Sequence, residues 1–125
     1  MVLDTCAVIW LAFERENISE ETLNSIEKSD EIIISTMSFW EIGIKIEKKK
    51  IVVPLSLKEL IHLYVKNETV SIIPLDLNII LQSFELNWKH RDPVDRMIVA
   101  TAMKYDRHIV TSDTVIKKFY KKTVI

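Results

Sequence analysis

One glycine, one cysteine and three prolines are all that the 125 residues contain of these types, and each scarcity closes off a class of protein. A lone glycine at position 43 excludes a glycine-rich loop cradling nucleotide phosphates, and so little glycine and proline leaves no flexible linker. The single cysteine, Cys6, can form no internal disulfide and belongs to no metal-binding cysteine cluster, which suits a reducing cytoplasm. Long apolar runs are also missing. The longest, Cys6 to Phe13, falls well short of the roughly 18–20 residues needed to cross a bilayer. The first residues, with Asp4 and no preceding Lys or Arg, do not read as a signal peptide. Excess charge of either sign is absent: 17 Lys and Arg stand against 18 Asp and Glu, a net charge of −1. No global field draws a polyanion to the chain, so nucleic-acid binding would need local basic patches. With 48% hydrophobic residues, the chain has material for a packed core and is expected to form one domain over residues 1–125.

What is present is alternation. Short apolar runs rich in β-branched residues occur at Val2-Leu3, Ile32–Ile34, Ser71–Ile73, His108–Val110 and Thr123–Ile125, separated by longer stretches with helical spacing. The helix starts are legible. Ser19-Glu20-Glu21 places acids at the positive end of a helix dipole, and Ser38 with Glu41 and Ser56 with Glu59 both have capping-box form. Asp76 and Asp92-Pro93 read as further caps, and Val94, Ile98, Ala102 and Tyr105 give the helix after Pro93 one apolar face. Strands that are apolar throughout, alternating with helices, predict an α/β fold with a mostly parallel central sheet covered by helices on both faces.

In such a sheet, ligands bind beyond the carboxyl ends of the strands. Four acids fall there: Asp4 after the first strand, Glu41 one turn into the helix after Ile32–Ile34, Asp95 in the first turn after Asp92-Pro93, and Asp113 after the strand ending near Thr111. With no cysteine or histidine cluster among them, oxygen ligands suit Mg²⁺ or Mn²⁺ better than zinc. Such a metal site, completed by water and phosphate oxygens, can hydrolyse phosphodiesters. Each acid also has a local explanation. Glu41 can serve the Ser38 capping box, Asp92 is read as a cap and left out of the site, and Asp95 and Asp113 fit helix starts. Asp4 is hardest to explain locally, because it sits between apolar segments where a carboxylate is costly unless solvated, paired or metal-bound.

Leu3-Asp4-Thr5, Ser38-Phe39-Trp40-Glu41-Ile42, the run His90-Arg91-Asp92-Pro93-Val94-Asp95-Arg96, and Thr111-Ser112-Asp113 together resemble the PIN-domain toxins, most closely the VapC type of prokaryotic toxin–antitoxin pairs. The resemblance spans essentially the whole chain in order. It implies a PIN-like three-layer sandwich and a metal-dependent endoribonuclease, with Asp4, Glu41, Asp95 and Asp113 as the acidic quartet around one or two Mg²⁺ or Mn²⁺ ions. Asp4 and Asp95 match the main direct ligands, and Glu41 and Asp113 act through water or a second metal. Thr5, Thr111 and Ser112 match hydroxyl positions that orient waters or acids, and Arg96 is expected to pair with a neighbouring carboxylate. The resemblance also implies an RNA substrate, an antitoxin protein lying over the groove, a homodimer and a cytoplasmic location without membrane attachment.

Cations that would offset the acidic mouth are Lys45 and Lys48–Lys50, then Lys89, His90 and Arg91, and a C-terminal group of Lys117, Lys118, Lys121 and Lys122. Cys6 reads as core packing, and Trp10, Trp40 and Trp88 as core or interface aromatics. His62 and His108 read as structural or surface residues. Two other classes compete. A receiver-like signalling module would need an aspartate after a central strand, where Ser35-Thr36-Met37 stands. A non-catalytic binding module would keep the fold with the acids reduced to caps.

Overall fold

The computed structural model describes all residues from Met1 to Ile125. Five strands, β1 (Val2–Leu3), β2 (Ile32–Ser35), β3 (Val70–Ile73), β4 (Ile109–Val110) and β5 (Thr123–Val124), form one sheet in the order β3-β2-β1-β4-β5. Every pairing is parallel, with Val2 opposite both Ile33 and Ile109. The expected mostly parallel sheet is thus parallel throughout. Seven α-helices connect and cover it: α1 (Thr5–Phe13), α2 (Glu20–Glu27), α3 (Thr36–Glu47), α4 (Leu57–Val65), α5 (Leu77–Glu85), α6 (Pro93–Lys104) and α7 (Thr114–Phe119).

Alternation of side chains along the central strands divides the interior into two layers. Leu3, Ile32, Ile34 and Val110 face one side, where they join Ala7, Val8, Ile26, Ile42 and Leu60 from α1 to α4. Val2, Ile33 and Ile109 face the other, against Val94, Ile98, Val99 and Ala102 of α6 and Ile116 of α7. Because both faces are covered, the central strands β1, β2 and β4 are buried and apolar except for Ser35, while the partly buried edge strands carry Ser71 and Thr123. The Tyr64 hydroxyl anchors α4 to α1 by donating to the Val8 carbonyl at 2.6 Å.

Most helix starts follow the sequence. Ser19, Asp76 and Asp92 cap α2, α5 and α6, and Ser56 with Glu59 forms the full capping box on α4. The predicted Ser38–Glu41 box does not form. Helix α3 starts three residues earlier, capped by Ser35, whose hydroxyl accepts from the Met37 N–H at 3.2 Å. Ser38 therefore lies inside the helix, fully buried, with no partner for its Oγ. Gly43 sits where a Cβ would come within 2.8 Å of Leu57 Cδ2, so its missing side chain permits the close approach of α3 to the start of α4.

Candidate active site at the carboxyl edge of the sheet

Strand order reverses at β1: the chain passes to β2 on one side and later returns to β4 on the other. The crevice beyond the carboxyl ends of these three strands is the expected ligand position in an open parallel sheet. Asp4 follows β1 directly, and its backbone N–H donates to the Val110 carbonyl at 3.2 Å, tying the end of β1 to β4. Its side chain caps α1, with Oδ1 accepting from the Ala7 N–H at 2.7 Å. Only 5% of Asp4 is exposed. Burial pushes its carboxyl above the ordinary range, bonds from Thr111 and Ala7 relieve this in part, and the charges of Asp113 and Glu41 add to it.

Asp113, the cap of α7, receives the Val115 and Ile116 N–H groups at 2.6 and 3.1 Å, while its own N–H donates to Thr111 Oγ1 at 3.0 Å. Its charge is felt by both Asp4 and Asp95. Asp95 projects from the first turn of α6 and is pushed up to about 6, mainly by burial, then by the charges of Asp92 and Asp113 acting against the His90 hydrogen bond. His90 Nε2 lies 2.7 Å from Asp95 Oδ2. Glu41 projects from α3, where Oε2 accepts from the Thr5 hydroxyl at 2.8 Å and Oε1 meets Lys45 at 2.7 Å. Burial acts to lower the Lys45 ammonium, but its hydrogen bond and ion pair with Glu41 leave the net shift upward.

The four predicted acids thus converge on one edge from four different elements, close enough to raise the cost of ionising Asp4 and Asp95. Burial is the larger cause of both upward shifts, and the like charges of neighbouring acids add to it, a combination that marks a candidate functional site. Two of them do also cap helices, so the local explanation holds for Asp4 and Asp113, whereas Glu41 serves no cap. No three His, Cys, Asp or Glu side chains already form a metal-holding cage. Mg²⁺ does not require one, because it binds through one or two carboxylates with water and substrate phosphate oxygens in the remaining positions. The all-oxygen donor set around Asp4 and Asp95 fits such an ion.

Supporting residues fall out unevenly. Thr5 and Thr111 are buried and bonded within the site, while Ser112 is exposed. Arg96 departs from expectation. It meets no carboxylate, and its guanidinium instead donates to the carbonyls of Trp88 and His90 at 2.7 Å each and Ser83 at 2.5 Å, with Leu86 at 3.5 Å. The reason is geometric: the segment between α5 and α6 has no ladder for its carbonyls, and a planar fork satisfies several at once. Cys6 is also corrected, being exposed rather than packed in the core and lying within the field of Asp4 and Glu41. Trp40 is 56% exposed and so lies outside the core, whereas Trp88 stacks on Phe119 at 4.6 Å and leans on His90 at 4.7 Å. Lys45 and His90, expected as cations beside the acidic mouth, are each paired with one particular acid, Glu41 and Asp95. The spacing of Lys45 four residues after Glu41 was available as a signal, but nothing in the sequence reveals the His90 contact.

The PIN domain family profile matches residues 1–122, and the chain belongs to the PIN-domain family. Among characterised proteins it is similar to Ribonuclease VapC22 of Mycobacterium tuberculosis, 26% identical over 114 residues that cover 90% of this chain and 86% of the relative. Two solved structures share the fold. One is a toxin–antitoxin complex from Klebsiella pneumoniae (TM-score 0.66, 20% identity, covering 99% of this chain and 95% of that one). The other is VapBC2 from Rickettsia felis bound to a DNA fragment from their promoter (TM-score 0.69, 14% identity, covering 99% and 96%).

Proposed function

We propose that this protein is a Mg²⁺- or Mn²⁺-dependent endoribonuclease, the toxin of a VapBC-type toxin–antitoxin pair. The observation that carries this reading is the convergence of Asp4, Glu41, Asp95 and Asp113 at the strand-order reversal, with Asp4 and Asp95 held above the ordinary carboxylate range. The similarity to a ribonuclease named VapC22 supports the choice of RNA, and the fold shared with toxin–antitoxin complexes supports an antitoxin partner.

Asp4 and Asp95 would hold the ion, with Glu41 and Asp113 contributing through water. A divalent cation bound there lowers the pKa of water and offsets charge on the phosphate in the transition state. The chain's own groups prepare that position. The Ala7 N–H fixes Asp4, and Thr5 and Lys45 hold opposite oxygens of Glu41. The Asp92 carboxylate secures the first turn of α6 by accepting the Asp95 N–H at 3.0 Å. His90 Nε2, 2.7 Å from Asp95 Oδ2, holds that carboxyl in position at the mouth of the site. We further propose a homodimer acting in the cytoplasm, on the strength of the VapC resemblance alone.

A second reading has a specific observation in its favour. Asp4 and Asp113 have structural work as caps, as they would in a PIN-fold RNA- or protein-binding module without catalysis. Incubating labelled structured and unstructured RNAs with purified protein in Mg²⁺, Mn²⁺ or EDTA separates the two. Cutting that needs metal and disappears in a folded Asp95→Asn variant is the expected result. Metal-independent cutting equal in both proteins, or no cutting of any RNA, favours the binding module.

A further inference from the structure

Next to the acids, on the far side of His90, lies a groove of about 550 Å³ between the end of α5 and the start of α6, within the range of small-ligand sites. Its apolar surface comes from Phe84, Met97, Pro93 and the edge of Trp88, and its rim carries Lys89 and Arg91. Phe84 is 81% exposed and joins neither core layer; it ends an exposed apolar stripe of α5 begun by Leu77 and Leu81, and it alone of the three lines the groove. No acid lines the groove, and neither Lys89 nor Arg91 forms an ion pair.

Arg96 forms part of the same groove, and all its hydrogen bonds go to neutral carbonyls. The guanidinium is therefore fixed but not neutralised. An exposed aromatic side chain, a fixed cation in the same groove and two exposed, unpaired cations beside it match an unstacked base with its phosphate. They suit an apolar helix or strand from a protein less well, since such a segment gains nothing from uncompensated positive charge.

We propose that this groove is a nucleotide subsite: one base of single-stranded RNA stacks on Phe84, and the adjoining phosphate is held by Arg91 and Lys89 in the field of Arg96. This deepens the ribonuclease reading by naming where the strand is gripped beside the acids, and it assigns Phe84 and Arg91 to binding and not to catalysis. Two rims of opposite character then meet at His90, with the cationic groove on one side and the acidic mouth on the other.

The test is binding, measured independently of cleavage. Fluorescence anisotropy of a labelled single-stranded RNA is followed with wild type, Phe84→Ala, Arg91→Ala and a control, Leu63→Ala, which removes an exposed apolar side chain from α4. Titrations are run with EDTA and again with Mg²⁺ in an Asp4→Asn background, and RNA integrity is checked on gels. Phe84→Ala is expected to weaken binding by about 5- to 100-fold. Arg91→Ala is expected to weaken it and to reduce the slope of log K against log salt by about 0.7, with the control unchanged. A set of RNAs with one abasic position moved along the strand adds the decisive comparison: at one position, removing the base erases the difference between wild type and Phe84→Ala.

Equal RNA affinity in all four proteins, or no RNA affinity in any, overturns the proposal. So does a Phe84→Ala effect that persists with every abasic strand, or one that appears only as loss of self-association in sedimentation, since the groove would then seat a second copy or another protein. Because no cleavage is read, base-dependent binding by a protein that cuts nothing would refute the nuclease and leave the subsite standing. Metal-dependent cutting with no Phe84 effect would do the reverse.

Discussion

Replacing Asp95 by Asn removes one negative charge from the acidic edge, and its effect on stability follows from the surroundings of that carboxyl. Asp95 is pushed up to about 6 from an ordinary 3.8, chiefly by burial. A carboxyl whose folded pKa lies above its unfolded value binds more protons folded than unfolded. Stability therefore falls as pH rises from about 4 to about 6, and the penalty is complete at pH 7.5. Full conversion of the shift gives about 3 kcal/mol. The side chain keeps 22% of its exposure, so solvent screening reduces this to about 1–2 kcal/mol. Asn retains an oxygen for His90, which leaves the charge as the main difference. In metal-free urea denaturation at pH 7.5, Asp95→Asn should unfold about 0.5–1.5 M later than wild type, with the gap closing below pH 4. Mg²⁺ at about 100 times its Kd should stabilise wild type by about 2–3 kcal/mol and the variant much less, narrowing or reversing the order. A variant less stable than wild type at pH 7.5, or a gap that widens as pH falls, would refute the reasoning.

Arg96→Lys keeps the charge but loses the fork that satisfies the carbonyls of Ser83, Trp88 and His90. It should cost about 2–4 kcal/mol in denaturant and speed hydrogen exchange in the segment between α5 and α6. Ser38→Ala removes a buried hydroxyl with no partner, so the melting temperature should rise or stay level, and a fall of several degrees would mean that the hydroxyl is bonded. Gly43→Ala gains helix propensity of about 1 kcal/mol against displacement of the flexible end of Leu57, and is expected to be near neutral. Gly43→Val should destabilise by about 1–3 kcal/mol in the same assay, because its branched side chain cannot avoid the start of α4.

The fold was legible because its strands are buried on both faces. Ile32–Ile34 could not be an amphipathic surface strand, and the five apolar runs gave all five strands. Which layer each strand residue joins emerged only from the structure, where Val2 and Leu3 enter opposite core layers. The acids were legible one at a time from their places after strands and in first turns, but their mutual influence was not, since Asp4 and Asp113 are 109 positions apart in a chain of 125. The misreadings share a cause. Ser38 with Glu41 has capping-box spacing, yet Ser35 at the end of β2 already caps the helix, so a local pattern lost to the strand boundary. Cys6 stands in an apolar run but faces the acidic edge, because a helix starting at Thr5 turns one of every few residues away from the sheet. The partners of Arg96 are carbonyls of a segment without regular structure, and side-chain chemistry alone does not announce them.

The measurement that bears most directly on the central claim is the chemistry of the first products made from a defined RNA, with Mg²⁺ and then EDTA, by wild type and by a folded Asp4→Asn variant. If the acidic edge directs water at the phosphodiester, the first products carry a linear phosphate on one side of the cut and a hydroxyl on the other, and EDTA or Asp4→Asn lowers the rate by at least about 100-fold. Products that first appear with 2′,3′-cyclic phosphate ends, formed at the same rate in EDTA and by Asp4→Asn, would contradict the account.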